Sequence, residues 1–119
     1  MEQITVVGAG VMGKGIAYAC AISGYKVYVN DINDEILAKA KQDINQLLDE
    51  SLAKGFINQE VYEQSHAQLN YDVNLEQAAK DADLVIEAVL EKMDLKVEVF
   101  KQLYIHDESN RNWGTNIKT

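Results

Sequence analysis

A glycine-rich turn between a strand and a helix constrains this chain more than any other feature of its sequence. Residues 3–7 are mostly β-branched, which is typical of a short buried strand, and glycines follow at positions 8, 10 and 13. Residues 11–23 are rich in alanine and glycine and predict a helix that ends before Gly24. Because glycine passes through a tight turn without steric strain, the pattern predicts the opening of a βαβ unit.

A second strand and an acidic residue complete this unit. Residues 26–30 again favour a strand, and Asp31 follows them at the spacing of the dinucleotide-binding fingerprint. In that fingerprint the first glycine makes the turn, the second lets a pyrophosphate approach the backbone, and the third lets the helix pack against the sheet. The helix N-terminus binds the pyrophosphate, and the acid accepts hydrogen bonds from the ribose. The cofactor-binding residues predicted on this basis are Gly8, Gly10, Val11, Met12, Gly13 and Asp31.

The charge of Asp31 favours NAD over NADP as the cofactor. Its carboxylate would repel a 2′-phosphate, and no arginine stands near it in the sequence. The alternative is a parallel sheet whose first turn is glycine-rich for packing alone.

The remainder of the chain alternates between helix and strand patterns. Helices are predicted from Asn33 to Gly55 and over residues 58–64, 74–80 and 93–105, and strands over residues 68–72 and 83–89. Strands that alternate with helices indicate βαβ units and a parallel sheet. We therefore predict an α/β, Rossmann-type, doubly wound fold with a mainly parallel sheet. Four strands are evident, with room for a fifth in the tail, where such a domain has about six, so we expect the sheet to be incomplete at its C-terminal end.

Composition excludes several classes of function. The chain has 119 residues, which suits one domain, and no apolar run approaches the roughly 20 residues that span a bilayer. Its net charge of −8 argues against a nucleic-acid partner. Cys20, the single cysteine, cannot form an internal disulfide, and its small helical neighbours indicate a packing role rather than a nucleophile. We expect a cytoplasmic protein with no metal site and no membrane or nucleic-acid partner.

Two segments resemble the 3-hydroxyacyl-CoA dehydrogenase family. They are residues 4–17, ITVVGAGVMGKGIA, and residues 82–96, ADLVIEAVLEKMDLK, and the resemblance runs over residues 1–104. It implies an NAD-dependent oxidoreductase of fatty acid metabolism, which interconverts 3-hydroxyacyl-CoA and 3-ketoacyl-CoA by hydride transfer.

The resemblance also implies roles for residues outside the glycine turn. Ala88, Glu91 and Lys96 match positions along the nicotinamide side of the cofactor, at and beyond the end of the fourth strand. The alternative for Glu91 and Lys96 is that they are solvated charges at the start of a helix. Ser51 and Lys54 fall near positions that contact the CoA part of the substrate, with an ordinary helix surface as the alternative.

The tail departs from that family. The family's Asn-Thr-Ser-Ser segment can be matched to Asn116, after which Lys118 stands in the serine position. The resemblance places the catalytic histidine and its glutamate beyond residue 119, and neither His66 nor His106 matches that histidine. A truncation, a frame change, a divergent tail or an artificially shortened chain would each account for this. We expect residues 1–119 to form one NAD-binding domain, with an irregular tail at 106–119 and without the family's helical second domain.

Three functions remain open on the sequence. In the first, the chain is the NAD-binding part of such a dehydrogenase, inactive alone, and acyl-CoA binds only when the second domain is present. In the second, it is a stand-alone NAD(H)-binding module with a sensing or scaffold role, for which an exposed sheet edge would allow a homodimer. In the third, it belongs to a different NAD enzyme, such as another β-hydroxyacid dehydrogenase.

Overall fold

The computed structural model describes residues 2–89 and 94–99. Five strands and four helices lie in this part of the chain. In chain order they are β1 (Gln3–Val7), α1 (Val11–Ile22), β2 (Lys26–Asn30), α2 (Asp34–Ala53), α3 (Gln59–Gln68), β3 (Leu69–Asp72), α4 (Leu75–Ala79), β4 (Leu84–Val89) and β5 (Asp94–Val99).

The sheet has the strand order β3-β2-β1-β4-β5, and its first four strands are parallel. β1 lies in the middle, because the chain adds β2 and β3 on one side of it and then crosses to add β4 on the other. The last residues of β1 and β2, Val7 and Asn30, are register partners, and so are Asn30 and Asp72. These carboxyl ends form one edge of the sheet, called the carboxyl edge below. In open α/β sheets, ligands bind at this edge where the strand order reverses.

Asparagine side chains begin three of the helices. Asn33, Asn58 and Asn74 each accept a hydrogen bond from a backbone N–H three residues further on, at 2.8 to 2.9 Å. This is the preferred chemistry for the first turn of a helix, so the predicted starts of α2, α3 and α4 are confirmed. α3 continues to Gln68, past the predicted end at residue 64, because its last turn packs on α1. There the buried Ser65 hydroxyl donates to the carbonyl oxygen of Ala21 at 3.3 Å.

The core lies on both faces of the sheet. On one face, apolar strand residues such as Ile4 and Val6 pack in one cluster with α1, α2 and α3. The other face is covered by α4, where the fully buried Thr5 donates a hydrogen bond to the carbonyl oxygen of Ala78 at 2.5 Å. This bond satisfies the hydroxyl that β1 places between apolar neighbours. Within residues 2–89, no helix is long and apolar enough to cross a membrane.

The helix predicted over residues 93–105 is wrong where the structure describes it. Asp94–Val99 forms β5, which pairs antiparallel with the whole of β4. Apolar residues at positions 95, 97 and 99 alternate with charged residues, and this period of two suits a strand. β4 would otherwise be an edge strand with open hydrogen-bonding groups, which pairing with β5 satisfies. The rest of that predicted helix, and the tail with its proposed fifth strand, lie outside the described residues.

An ion pair joins α1 to α2 and gives a testable pH dependence. Lys14 binds one carboxylate oxygen of Asp43, and the ammonium of Lys39 lies 3.3 Å from the other. The side chains of Lys14 and Asp43 are only 18% and 27% exposed. The hydrogen bond from Lys14 holds the pKa of Asp43 below its ordinary value. A carboxyl with a lower pKa in the folded state stabilises the fold above its unfolded pKa, and this contribution disappears as the pH falls through the folded pKa.

We expect Asp43→Asn to lower the thermal unfolding midpoint at pH 7 and to differ less from the wild type at about pH 3, because the contribution of the ion pair shrinks as the pH falls below the ordinary pKa of an aspartate toward the lowered pKa of Asp43. Thermal unfolding followed by circular dichroism at both pH values tests this. Asp81→Asn is the matched control, because Asp81 is exposed and lies outside the α1–α2 contact. A deficit of equal size at pH 7 and pH 3 would contradict the assignment.

Candidate cofactor-binding site

Gly8 makes the turn out of β1 in a conformation that favours glycine. Its φ is +105°, and a Cβ atom added there would lie 2.2 Å from the carbonyl oxygen of Ala88 in β4. Its N–H donates to the carbonyl oxygen of Asn30 at 2.8 Å. Gly8 therefore fits closely between the ends of β2 and β4, and a side chain at this position would push the strands apart.

Gly13 allows α1 to begin against the same turn. A Cβ atom on Gly13 would lie 1.8 Å from the carbonyl oxygen of Gly8 and 3.6 Å from the side chain of Val6. The first of these atoms belongs to the backbone and cannot rotate away. The close approach directs the N-terminus of α1 toward the carboxyl edge, as the third glycine of the fingerprint requires.

The N-terminus of α1 differs from those of the other helices in the described chain. Its first residue follows Gly10, which has no side chain to cap it, and no acidic residue stands in its first turn. By contrast, α2, α3 and α4 each have an asparagine cap and an acidic residue in the first turn. The first N–H groups of a helix have no partner within the helix and carry a partial positive charge. Val11, 77% exposed, Met12 and Gly13 thus offer N–H groups that fit an anionic pyrophosphate.

Asp31 stands beside this turn and is bound to it. One carboxylate oxygen accepts a hydrogen bond from the N–H of Ala9 at 2.8 Å, and the other accepts one from the N–H of Ile32 at 2.7 Å. A carboxylate has about four acceptor sites, so each oxygen can still accept a hydroxyl hydrogen. The carboxylate is therefore oriented at the carboxyl edge and able to bind ribose hydroxyls. The turn and Asp31 together fit NAD.

The sequence missed two contacts that build this site. Ala9 was not singled out, although its N–H fixes the carboxylate of Asp31. Asn30 was considered only as the last residue of a strand, yet its buried side chain donates to the carbonyl oxygen of Asp72 at 2.9 Å. An amide directly after the buried Val29, at the end of a mostly apolar strand, was the signal available, because buried amides need partners.

The residues predicted on the nicotinamide side are described only in part. Ala88 is buried at the carboxyl edge, with its carbonyl oxygen against Gly8. Glu91 lies outside the described residues. Lys96 belongs to β5, where its register partner is Glu87, and not to the helix in which we expected it. The cofactor roles of Glu91 and Lys96 stay predictions.

The histidine that the structure describes does not belong to this site. His66 is exposed on the last turns of α3, with its ring edge-on to Tyr62 at a centroid distance of 4.7 Å. α3 leads into the first residue of β3, so His66 lies at the sheet edge opposite Asp31. His106 lies outside the described residues.

Three further side chains that the sequence singled out lie in or beside helix contacts. Ser51 is 7% exposed, and its hydroxyl lies 2.5 Å from that of Tyr18, which links α2 to α1. Lys54 is the C-terminal cap of α2, and its backbone N–H donates to Glu50. Cys20 packs beside the main core, and burial raises the pKa of its thiol, which agrees with a packing role rather than a nucleophile.

Comparison with known proteins identifies relatives over most of the chain. Residues 3–111 match the family model described as 3-hydroxyacyl-CoA dehydrogenase, NAD binding domain. The glyoxysomal fatty acid beta-oxidation multifunctional protein MFP-a of Cucumis sativus is 34% identical over 119 residues, which are all of this chain and 16% of that protein. The mitochondrial hydroxyacyl-coenzyme A dehydrogenase of Rattus norvegicus is 33% identical over 108 residues, which cover 87% of this chain and 34% of that protein.

Solved structures agree with these relatives. The (S)-3-hydroxybutyryl-CoA dehydrogenase PaaH1 from Ralstonia eutropha has a TM-score of 0.71 at 32% identity, over 76% of this chain and 32% of that chain. The 3-hydroxybutyryl-CoA dehydrogenase from Escherichia coli K12 has a TM-score of 0.70 at 34% identity, over 76% of this chain and 19% of that chain.

The relatives are longer than this chain, and the names of some of them place them in organelles. The chain spans about a third or less of the length of these relatives. Their names include glyoxysomal and mitochondrial proteins, so a cytoplasmic location stays a prediction.

The fold, the glycine turn and the match over residues 3–111 agree, and the cofactor of this family is NAD. The chain belongs to the 3-hydroxyacyl-CoA dehydrogenase family and corresponds to its NAD-binding domain.

Proposed function

We propose that this chain supplies the NAD-binding part of an oxidoreductase that interconverts 3-hydroxyacyl-CoA and 3-ketoacyl-CoA. The observation that carries the proposal is the convergence of Gly8, the uncapped N-terminus of α1 and the carboxylate of Asp31 at one edge of the sheet. The relatives support the reaction class, since the Ralstonia and rat proteins are named as dehydrogenases of hydroxyacyl-CoA compounds.

Each part of the carboxyl edge has a separate task in this proposal. The N–H groups of Val11, Met12 and Gly13 bind the pyrophosphate, and Gly10 leaves room for it beside the backbone. Asp31 accepts hydrogen bonds from the adenosine ribose and repels a 2′-phosphate, which selects NAD. Residues near the end of β4, with Ala88 among them, line the nicotinamide side. Bound NAD supplies the acceptor for the hydride that leaves the 3-hydroxyl carbon.

Oxidation of an alcohol also needs a base for the hydroxyl proton, and a base must lie within hydrogen-bond reach of that proton. His66 lies at the opposite edge of the sheet, and His106 does not match the catalytic histidine that the resemblance implies. We therefore propose that the 119-residue chain binds NAD(H) without turning over substrate by itself, and that acyl-CoA binding requires the family's second domain.

Titration of the 119-residue chain with NADH, followed by its fluorescence, tests the proposed function. We expect saturable binding of NADH and binding of NADPH at least about tenfold weaker, since one repelled phosphate costs about 1.4 kcal/mol or more. With acetoacetyl-CoA added, we expect no loss of NADH absorbance, and the full-length rat enzyme is the positive control for that assay. Absence of NADH binding would contradict the cofactor role, and NADH oxidation would contradict the proposed inactivity.

A further inference from the structure

A buried asparagine ends β2 immediately before Asp31. Asn30 is 6% exposed, and it follows Val27 and Val29, two fully buried core residues whose side chains face the other side of the sheet. Its side-chain amide donates to the carbonyl oxygen of Asp72, the last residue of β3, at 2.9 Å. An amide buried without a partner costs free energy, so this hydrogen bond ties the side chain to a definite place.

The backbone of Asn30 is bound on the opposite side. Its carbonyl oxygen accepts the N–H of Gly8 at 2.8 Å, and the next residue, Asp31, accepts the N–H of Ala9 at 2.8 Å. Asn30 therefore contacts the glycine turn through its backbone and the end of β3 through its side chain. Through this one residue, the carboxyl ends of β1, β2 and β3 are fixed relative to one another.

The side-chain bond lies where the strand ladder ends. β3 has only four residues, and Asn30 and Asp72 are the last register pair that it makes with β2. Beyond them the chain turns away into the loops before α2 and α4. Asp72 also fixes the second of these loops, because its carboxylate accepts the N–H of Asn74 at 2.9 Å. Strand ends fray when the ladder stops, and the amide of Asn30 adds one bond at that point.

We propose that Asn30 is a positioning residue that holds Asp31 in place for the cofactor ribose. The inference rests on the proposed function, because it takes Asp31 as the ribose ligand. The amide of Asn30 is buried against β3 and acts through the backbone of Asp31. Without that amide, Asp31 loses its fixed position, so both its hydrogen bonds to the ribose and its repulsion of a 2′-phosphate weaken.

Asn70 provides a matched control on the same pair of strands. Its side-chain amide donates to the carbonyl oxygens of Val27 at 3.3 Å and Gln68 at 3.1 Å. Its side chain thus bridges β3 and β2, as that of Asn30 does, but near the other end of the β2–β3 pairing, away from the carboxyl edge. A variant that loses this amide loses a comparable strand contact without touching Asp31.

Binding of NADH and NADPH to Asn30→Ala, Asn30→Ser and Asn70→Ala tests the proposal. We expect Asn30→Ala to weaken NADH binding about tenfold, corresponding to about 1.4 kcal/mol, and to weaken NADPH binding less. The preference for NADH therefore falls. Asn30→Ser keeps a donor and is expected to recover part of the preference. Asn70→Ala is expected to keep the preference of the wild type.

Hydrogen exchange at the backbone amide of Ala9, measured by NMR without cofactor, separates this inference from the proposed function. We expect faster exchange in Asn30→Ala and wild-type exchange in Asn70→Ala, because the amide of Ala9 is bound to the carboxylate of Asp31. If the wild type does not bind NADH, the proposed function fails while the exchange still tests Asn30. Should Asn30→Ala not fold, Asn30→Ser serves in both measurements. Unchanged preference and exchange in the Asn30 variants, or equal changes in Asn70→Ala, would overturn the inference.

Discussion

Replacement of Gly13 by alanine is expected to abolish NADH binding and to destabilise the fold by about 3 kcal/mol, the upper part of the usual range for an overpacked site. The new Cβ atom would lie 1.8 Å from the carbonyl oxygen of Gly8, and backbone atoms cannot move aside as a flexible side chain does. The start of α1 must then shift away from β1. Such a shift moves the first N–H groups of the helix away from Gly8 and Asp31 at the carboxyl edge, where the cofactor is expected to bind.

Gly15→Ala is the control for this prediction, because it makes the same chemical change two residues further along α1. A Cβ atom on Gly15 meets no atom within 4 Å apart from the adjoining backbone of α1, and the residue is exposed. Alanine is a better helix former than glycine by about 0.5–1 kcal/mol, so this variant is expected to be more stable than the wild type and to bind NADH normally. Chemical denaturation and NADH titration of both variants give the comparison. Equal effects of the two substitutions would show that the close approach of α1 is not the cause.

Local signals were sufficient to predict most of the elements that position the site. The bounds of β1 and β2 agree with the sequence pattern, and Asn33 caps α2 as predicted, because each depends on a few neighbouring residues. The glycine turn was predictable for a related reason. Where two backbone segments approach this closely, there is no room for a Cβ atom. Only glycine fits such a position, so the requirement is visible in the sequence.

The segment at residues 94–99 shows where local signals fail. Its apolar residues suit both a strand and one face of a helix, so the sequence pattern does not decide between them. The open edge of β4 provides the deciding contact, and that edge exists only once the sheet has formed. The extension of α3 has the same origin, since its last turn depends on a hydrogen bond to α1.

The long-range hydrogen bonds that build the site could not be predicted from the sequence either. Asp31 and Ala9 are 22 residues apart, and Asn30 and Asp72 are 42 residues apart. Such contacts follow from the strand order, which brings the ends of β1, β2 and β3 together. The fingerprint predicts Asp31 as a ribose ligand, whereas the structure shows that the same carboxylate also binds the glycine turn through the N–H of Ala9.

Those two tasks of Asp31 can be separated by the choice of substitution. Asp31→Ala removes the acceptor of the Ala9 N–H and the ribose ligand together, so it is expected to loosen the turn as well as weaken binding. Asp31→Asn keeps one oxygen that can accept from Ala9, but it removes the charge and one acceptor. Hydrogen bonds to a charged group contribute about 1.5–3 kcal/mol each, so we expect Asp31→Asn to weaken NADH binding by about 30-fold and Asp31→Ala by about 100-fold.

NADPH binding is not expected to weaken with NADH binding in Asp31→Asn. In the wild type, the carboxylate repels the 2′-phosphate, so its neutralisation in Asp31→Asn is expected to leave NADPH binding unchanged or stronger. Asp72→Asn is the control for a general effect of charge, since Asp72 ends the neighbouring strand and its amide analogue can still accept the N–H of Asn74. We expect that variant to change both affinities by less than about threefold, because a charge beyond the ribose is screened by solvent. Titrations with both nucleotides test this. Equal effects of Asp31→Asn and Asp72→Asn would mean that the total negative charge at the carboxyl edge, rather than a hydrogen bond from Asp31 to the ribose, determines the preference for NADH.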